Sequence, residues 1–188
     1  MTEQWLPLFP LGVVLLPGLP LPLHIFEERY KQMIGECLQA GEPFGLVCYT
    51  GAEMKSAGCA ARIVEVPQRY PDGRMDILCK GERRFRVEEQ DLSRVYLRGR
   101  VRYFDDAEEW TGPEQADRLR EAALRGLVYR DQLAALLGSG SPPEHPEVVS
   151  LEQISFILAG SEGFTLEEKQ AFLEMTSTAE RVRKAVEA

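Results

Sequence analysis

The order of patterns along the chain predicts an α+β protein, with a β-rich part over residues 1–110 followed by a helical part over residues 111–188. Three observations carry this. Residues 4–26 form a long uncharged run that its prolines keep from being helical. Residues 60–104 hold short β-patterned runs around an Asp-Gly turn. After a polar break at residues 105–112, apolar residues recur three and four apart.

A length of 188 residues suffices for one large domain or two small ones, and 44% hydrophobic with 28% charged residues is an ordinary globular balance. Net charge is -8, with 14 Lys/Arg against 17 Asp/Glu in residues 1–110 and 8 against 13 in the remainder. Neither part has the basic footprint of a general nucleic-acid binder. No polybasic cluster accompanies an amphipathic helix, so an anionic membrane surface is disfavoured too.

The uncharged run is long enough for a membrane span. Pro7, Pro10, Pro17, Pro20 and Pro22, with Gly12 and Gly18, interrupt it, and each internal proline removes a helical hydrogen bond. The residues before it, Met1, Thr2 and Glu3, supply no basic n-region, which argues against a secretory signal. Extended chain is expected at residues 5–9, 13–16 and 21–25, with a bend at Leu16, Pro17 and Gly18.

A helix is expected next, because Tyr30, Met33, Ile34, Cys37 and Leu38 share one face, Glu27 and Glu28 suit its positive end, and Gly41 stops it. Residues 44–49 read as a buried strand. Residues 60–70 and 74–80 read as a hairpin around Pro71, Asp72 and Gly73, followed by strands at 83–89 and 95–104. In the last, Val95, Leu97, Val101 and Tyr103 point one way and Arg98, Arg100 and Arg102 the other, with Glu65, Glu82 and Glu88 on hand as cross-strand partners.

The helical part opens at residues 113–137 with Ala116, Leu119, Ala123, Leu127, Leu133 and Leu137 as its stripe, after a capping box at Thr111 and Glu114. A Gly/Ser/Pro linker spans residues 138–146. Val148, Leu151, Ile154 and Leu158 give a second helix ended by Gly160. Thr165 and Glu168 form a cleaner capping box, opening one last helix that runs through Val186.

Residues that would carry chemistry are sparse. Cys37, Cys48, Cys59 and Cys79 lie far apart with no C-x-x-C pair, so buried reduced thiols in a cytoplasmic protein are expected, with no metal site. Neither a Walker phosphate loop nor G-x-G-x-x-G occurs, so no nucleotide cofactor is expected. His24 and His145 are the two histidines; one reads as structural at a strand end, the other as solvated linker. Asp105, Asp106, Glu108 and Glu109 read as solvated acids of a polar loop. No catalytic residue is assigned and the chain is not expected to be an enzyme.

The succession Leu6, Pro7, Leu8, Phe9, Pro10, Leu11, then Val14, Leu15, Leu16, Pro17, Gly18, then Pro20, Leu21, Pro22, Leu23, His24, Ile25, Phe26, Glu27, Glu28, Arg29, Tyr30 resembles the opening of the Lon protease N-terminal substrate-binding domain. The resemblance continues through Pro43 to Val47, Gly58 to Ala61, Gly81 to Phe85 and Glu168 to Glu174, and so covers nearly the whole chain. It implies a PUA-like six-stranded pseudo-β-barrel with one inserted helix, followed by a helical bundle. It also implies a free-standing copy of the domain, without the ATPase and protease parts, that binds polypeptide or acts as an adaptor without catalysis. Partners are then unfolded or tagged polypeptides, with a protease or chaperone as a further candidate, and the chain a monomer or weak dimer. RNA binding is the rival reading, because PUA-like barrels also serve it. For polypeptide binding, exposed anchors ringed by polar groups are needed, and Glu28 and Arg29 at the helix start, with Leu19 and Tyr70 as nearby anchors, are the expected residues.

Overall fold

The chain divides into two units, Met1–Asp105 and Asp106–Ala188; among the described residues the first holds six strands and one helix and the second four helices. The structure, a computed structural model, describes residues 4–107, 112–137 and 150–187. The first unit runs β1 (Gln4–Leu11), β2 (Pro20–Ile25), α1 (Glu28–Ala40), β3 (Phe44–Tyr49), β4 (Met54–Arg69), β5 (Met75–Asp91) and β6 (Arg98–Phe104). The second runs α2 (Pro113–Leu137), α3 (Leu151–Ala159), α4 (Leu166–Glu174) and α5 (Thr178–Glu187). This is the α+β architecture the sequence predicts.

The sheet order is β2-β5-β4-β3-β1-β6, and β5 also pairs with β6. That last pairing closes β1, β3, β4, β5 and β6 into a ring, leaving β2 outside it on the first half of β5. Inside the ring Leu6, Leu8, Val47, Ala60, Phe85 and Val101 form a buried cluster. Phe85 fills the centre only because two neighbours have no side chain. A Cβ on Gly45 or Gly58 would lie 2.7 Å from its Cζ, a separation that core packing does not tolerate.

The long strands β4 and β5 reach beyond the ring, so that β2 with Met75–Lys80 of β5 and Arg62–Arg69 of β4 forms a three-stranded extension. Ile25, Met75 and Ile77 are buried in it, as are Tyr30, Met33, Ile34 and Cys37 of α1. The helix ends where the sequence predicts, at Gly41, whose φ of 68° is left-handed and whose N–H bonds to the Cys37 carbonyl. At the extension's tip, Gly73 takes φ 84°, its N–H donates to the Tyr70 carbonyl, and Asp72 accepts from the Arg74 N–H.

Several expected elements differ. Residues 13–16 form no strand; Leu15 and Leu16 are buried, but the chain there folds over β5, with Gly18 N donating to the Gly81 carbonyl and Gly81 N to that of Leu19. The two strands expected at 74–80 and 83–89 are one, because Gly81 serves close packing: a Cβ there would sit 2.3 Å from the Leu16 carbonyl oxygen. Strand β4 starts at Met54, earlier than residue 60, and β6 starts at Arg98, which leaves Val95 in the preceding loop and 61% exposed.

In the second unit Leu119, Ala123 and Leu127 of α2 pack with Ile154 and Leu158 of α3 and Ala179 and Val182 of α5. Helix α3 is opened by a capping box of Ser150 and Gln153, and α4 by the expected one of Thr165 and Glu168. The single last helix of the sequence reading is two, broken at Met175, after which Ser177 Oγ accepts the Glu180 N–H to start α5. The expected Thr111 cap, the linker, His145, Glu108, Glu109 and Val148 lie outside the described residues. So do the side chains of Leu133 and Leu137.

Candidate functional site

The tip of the extension gathers the end of β2, the start of α1 and the β4–β5 turn. Lys31 ties the helix start to the turn: its Nζ donates to Glu28 Oε1 at 2.7 Å and to the Asp72 carbonyl at 3.0 Å. Alongside, Arg29 pairs with Glu27 at 2.8 Å, and its guanidinium lies 4.6 Å from the centre of the Tyr30 ring. Expected site residues Glu28 and Arg29 are both exposed, each engaged by a neighbour.

Tyr70, also expected, is half-buried here. Its hydroxyl donates to Asp76 Oδ2 at 2.8 Å, and Arg74 covers its ring at 5.1 Å. The other Asp76 oxygen bonds His24 Nδ1 at 2.5 Å. Hydrogen bonds from His24 and then Tyr70 hold the Asp76 carboxyl below its ordinary range, and the carboxylate in turn raises the Tyr70 phenol. Leu19 is elsewhere: it precedes the opposite end of β2, about 20 Å from Ile25 at the usual rise per residue.

Two features here are not among the expected site residues. Phe26, the last residue of the uncharged run, is 60% exposed, its ring stacked on His24 with centroids 6.0 Å apart and planes at 21°. His24 in turn meets the Tyr70 ring edge-on at 5.8 Å. Second, an open groove of about 350 Å³ runs along α1 between Glu28, Arg29, Lys31, Gln32 and Val95. A valine preceding an arginine-alternating strand reads as core, so the sequence carries no signal for Val95 as lining. Phe26 could have been found, since it follows the strand and precedes an acidic helix start.

The surface offers little for other chemistries. The β6 arginines are matched by acids of β5: Arg100 with Glu89 at 2.5 Å, Arg102 with Glu88 at 2.7 Å and Arg98 with Asp91 at 3.9 Å. Glu88 takes its expected role, whereas Glu82 pairs with Arg62 instead. A row neutralised in this way is a poor phosphate track, and RNA binding is not favoured. All four cysteines are buried; burial pushes the thiols of Cys37 and Cys79 to about 11 and that of Cys59 to about 12. Among the described residues no group of three His, Cys, Asp or Glu is placed to hold a metal ion, and no helix is long and apolar enough to cross a membrane.

Residues 5–188 match the family of the ATP-dependent protease La (LON) substrate-binding domain. The chain belongs to this family. A Lon protease of Parabacteroides distasonis is 28% identical over 162 residues, covering 81% of this chain and 19% of that protein. One of Desulforamulus reducens is 27% identical over 191 residues, covering 95% and 23%. The chain thus spans about a fifth of the length of these curated relatives. Two solved structures share the LON-domain fold over 98% of the chain: a Lon N-terminal domain protein from Xanthomonas campestris, with TM-score 0.72 and 24% identity, and the N-terminal domain of a Mycobacterium avium complex Lon protease, with 0.71 and 18%.

Proposed function

We propose that the chain is a non-catalytic polypeptide-recognition module, acting as a substrate-binding domain or as an adaptor for unfolded or tagged polypeptides. The observation that carries this reading is the match to a substrate-binding domain family over residues 5–188. The extension tip supports it as the binding face, because it combines an exposed aromatic ring with charged groups around it, the composition of an anchor and its solvated rim. Glu28, Arg29 and Tyr70 lie on this face, and Leu19 is a separate contact at the other end of β2. A protease or chaperone in the cytoplasm is the partner to which bound polypeptide passes. The module itself is a monomer or weak dimer.

The test is titration with a reduced, alkylated and fluorescently labelled unfolded polypeptide. Glu28→Lys, Arg29→Glu, Leu19→Ser and Tyr70→Ser are compared with the parent, each first shown to melt like it. A loss of at least ~1 kcal/mol at two or more positions is the expected result. Unchanged affinity in all four removes this face, and absence of binding by the parent removes the function.

A further inference from the structure

The face that holds Glu28, Arg29 and Tyr70 is discontinuous in the chain. Glu28 and Arg29 stand on the first turn of α1, whereas Tyr70 opens the connection between β4 and β5. Two of the cations here pair within their own segment: Arg29 with Glu27 at 2.8 Å and Arg74 with Asp72 at 2.7 Å, each two residues away. Exposed pairs of this kind fix one segment's side chains and set nothing between segments. His24, Asp76 and Tyr70 join β2 to the start of β5 and to the turn. The crossing from helix to turn is made by Lys31, which reaches the Asp72 carbonyl over 41 positions of sequence.

The surroundings of Lys31 suit that role. Its side chain is 15% exposed, low for a lysine. Its stem lies against the turn at Gly73, where a Cβ would sit 3.6 Å from Lys31 Cδ and 3.9 Å from Nζ. The acceptor on the turn is main chain, so the bond fixes backbone position and not one rotamer. Because the Gly73 N–H is bonded to the Tyr70 carbonyl, a group that holds Asp72 also holds Tyr70. The other acceptor, Glu28, is 89% exposed and belongs to the same face. Water can replace Nζ at both exposed acceptors, so the tie adds little to global stability. Its effect falls on binding: a face whose halves are already in register has less to order on contact.

We propose that Lys31 is the positioning residue of the polypeptide-binding face, holding the β4–β5 turn, and Tyr70 with it, in register with Glu28 and Arg29 without touching the polypeptide itself. The inference rests on the polypeptide-binding reading and assigns that face one further residue. Lys31 also lines the groove along α1, so direct contact is the alternative that the experiment separates.

Chemical rescue gives the first measurement. All four natural cysteines are buried, so in Lys31→Cys the introduced thiol is the one that 2-bromoethylamine alkylates under native conditions, restoring an ammonium at lysine length. Iodoacetamide gives a neutral adduct as control. With the labelled unfolded polypeptide, Lys31→Cys and its neutral adduct are expected to bind about two- to tenfold more weakly than the parent. The aminoethyl form should return to within about twofold of the parent, all four melting alike. Lys31→Met, which keeps a stem against Gly73, gives the second measurement in a cycle with Tyr70→Ser. The double variant should lose less than the sum of the single losses, since a turn no longer held draws less from Tyr70. Parent-like binding by Lys31→Cys and Lys31→Met, no recovery on aminoethylation, or a neutral Tyr70→Ser overturns the positioning role. Additive losses mean that Lys31 meets the polypeptide directly and overturn it as well. Each of these results leaves polypeptide binding standing, whereas a parent that binds no polypeptide removes both readings.

Discussion

Arg181 and Asp106, 75 residues apart, form a buried ion pair: the Arg181 side chain has no exposure and that of Asp106 has 11%. The guanidinium reaches Asp106 Oδ1 at 3.1 Å, the Met175 carbonyl at 2.9 Å and Ser155 Oγ at 2.7 Å, and stacks 3.8 Å from the centre of the Phe156 ring. It therefore joins the break between α4 and α5 to α3 and to the strand of chain preceding α2. Asp106 also accepts from the Thr178 hydroxyl. The acid that reads from sequence as solvated is in fact the counter-ion of this hub.

Removing one partner strands the other in the interior. Arg181→Met and Asp106→Leu should each cost about 3 kcal/mol in denaturant unfolding of the whole chain, whereas the double variant should recover much of that loss because no unpaired charge is left. Additive losses in the double variant would mean that the two charges do not act as a pair.

Gly81 makes a second stability prediction. A Cβ there would meet the Leu16 carbonyl oxygen at 2.3 Å, its carbon at 3.0 Å and the Cys59 sulfur at 3.2 Å, and the two nearest of these belong to backbone that cannot rotate away. Gly81→Ala should lower stability by about 1–3 kcal/mol, read as a lower denaturant midpoint with unchanged slope. A midpoint equal to the parent's would show that the 13–16 segment yields freely.

The same glycine shows where sequence reading stops. Helical stripes such as Leu119, Ala123 and Leu127 are legible because the period of a helix is written in consecutive turns, and so is the Asp72-Gly73 turn, whose geometry is local. Gly81 reads as a break between two strands until the distant Leu16 backbone is seen lying across it. Asp106 looks solvated until Arg181 is found. His24 and Tyr70 are 46 positions apart, and only the three-dimensional path of β5 puts the His24 ring, against which Phe26 stacks, beside Tyr70. What depended on local pattern was readable, and what depended on long-range approach was not.

The Asp76 pair gives a pH dependence. Its carboxyl is held below the ordinary 3.8 by hydrogen bonds from His24 and Tyr70. A depressed folded pKa contributes stability that is fully present above the unfolded value and lost as pH falls from about 3.8 through the lower folded value. The parent should thus be more stable than Asp76→Asn at pH 6, and the difference should shrink as pH falls below about 4. A difference constant from pH 6 to pH 2.5 would remove the carboxylate from the network.

Thiol chemistry should report burial directly. With Cys37, Cys48, Cys59 and Cys79 all buried and three of the thiols raised to about 11 or 12, a small disulfide reagent at pH 8 should find almost no reactive cysteine in the native chain and four after denaturation. Rapid native labelling of any of the four would show that its cover opens.

The last prediction concerns the edge of β2. Among the described residues this strand pairs only with β5, so its second edge is free. An unpaired edge is a template for another chain unless it is blunted, and here Pro20 and Pro22 remove two N–H donors from a strand of six residues. The free edge of β4 is treated similarly, by Pro67 and by irregular register between Ile63 and Glu65 and between Glu65 and Gln68. An open edge would pair with extended chains and with copies of this one regardless of their side chains. Replacing both β2 prolines, as Pro20→Thr with Pro22→Thr, restores the donors and a β-favouring residue without adding an apolar surface. The double variant should associate at concentrations where the parent does not, measured by sedimentation equilibrium. A double variant whose mass matches the parent's would mean that the prolines are not what keeps this edge closed.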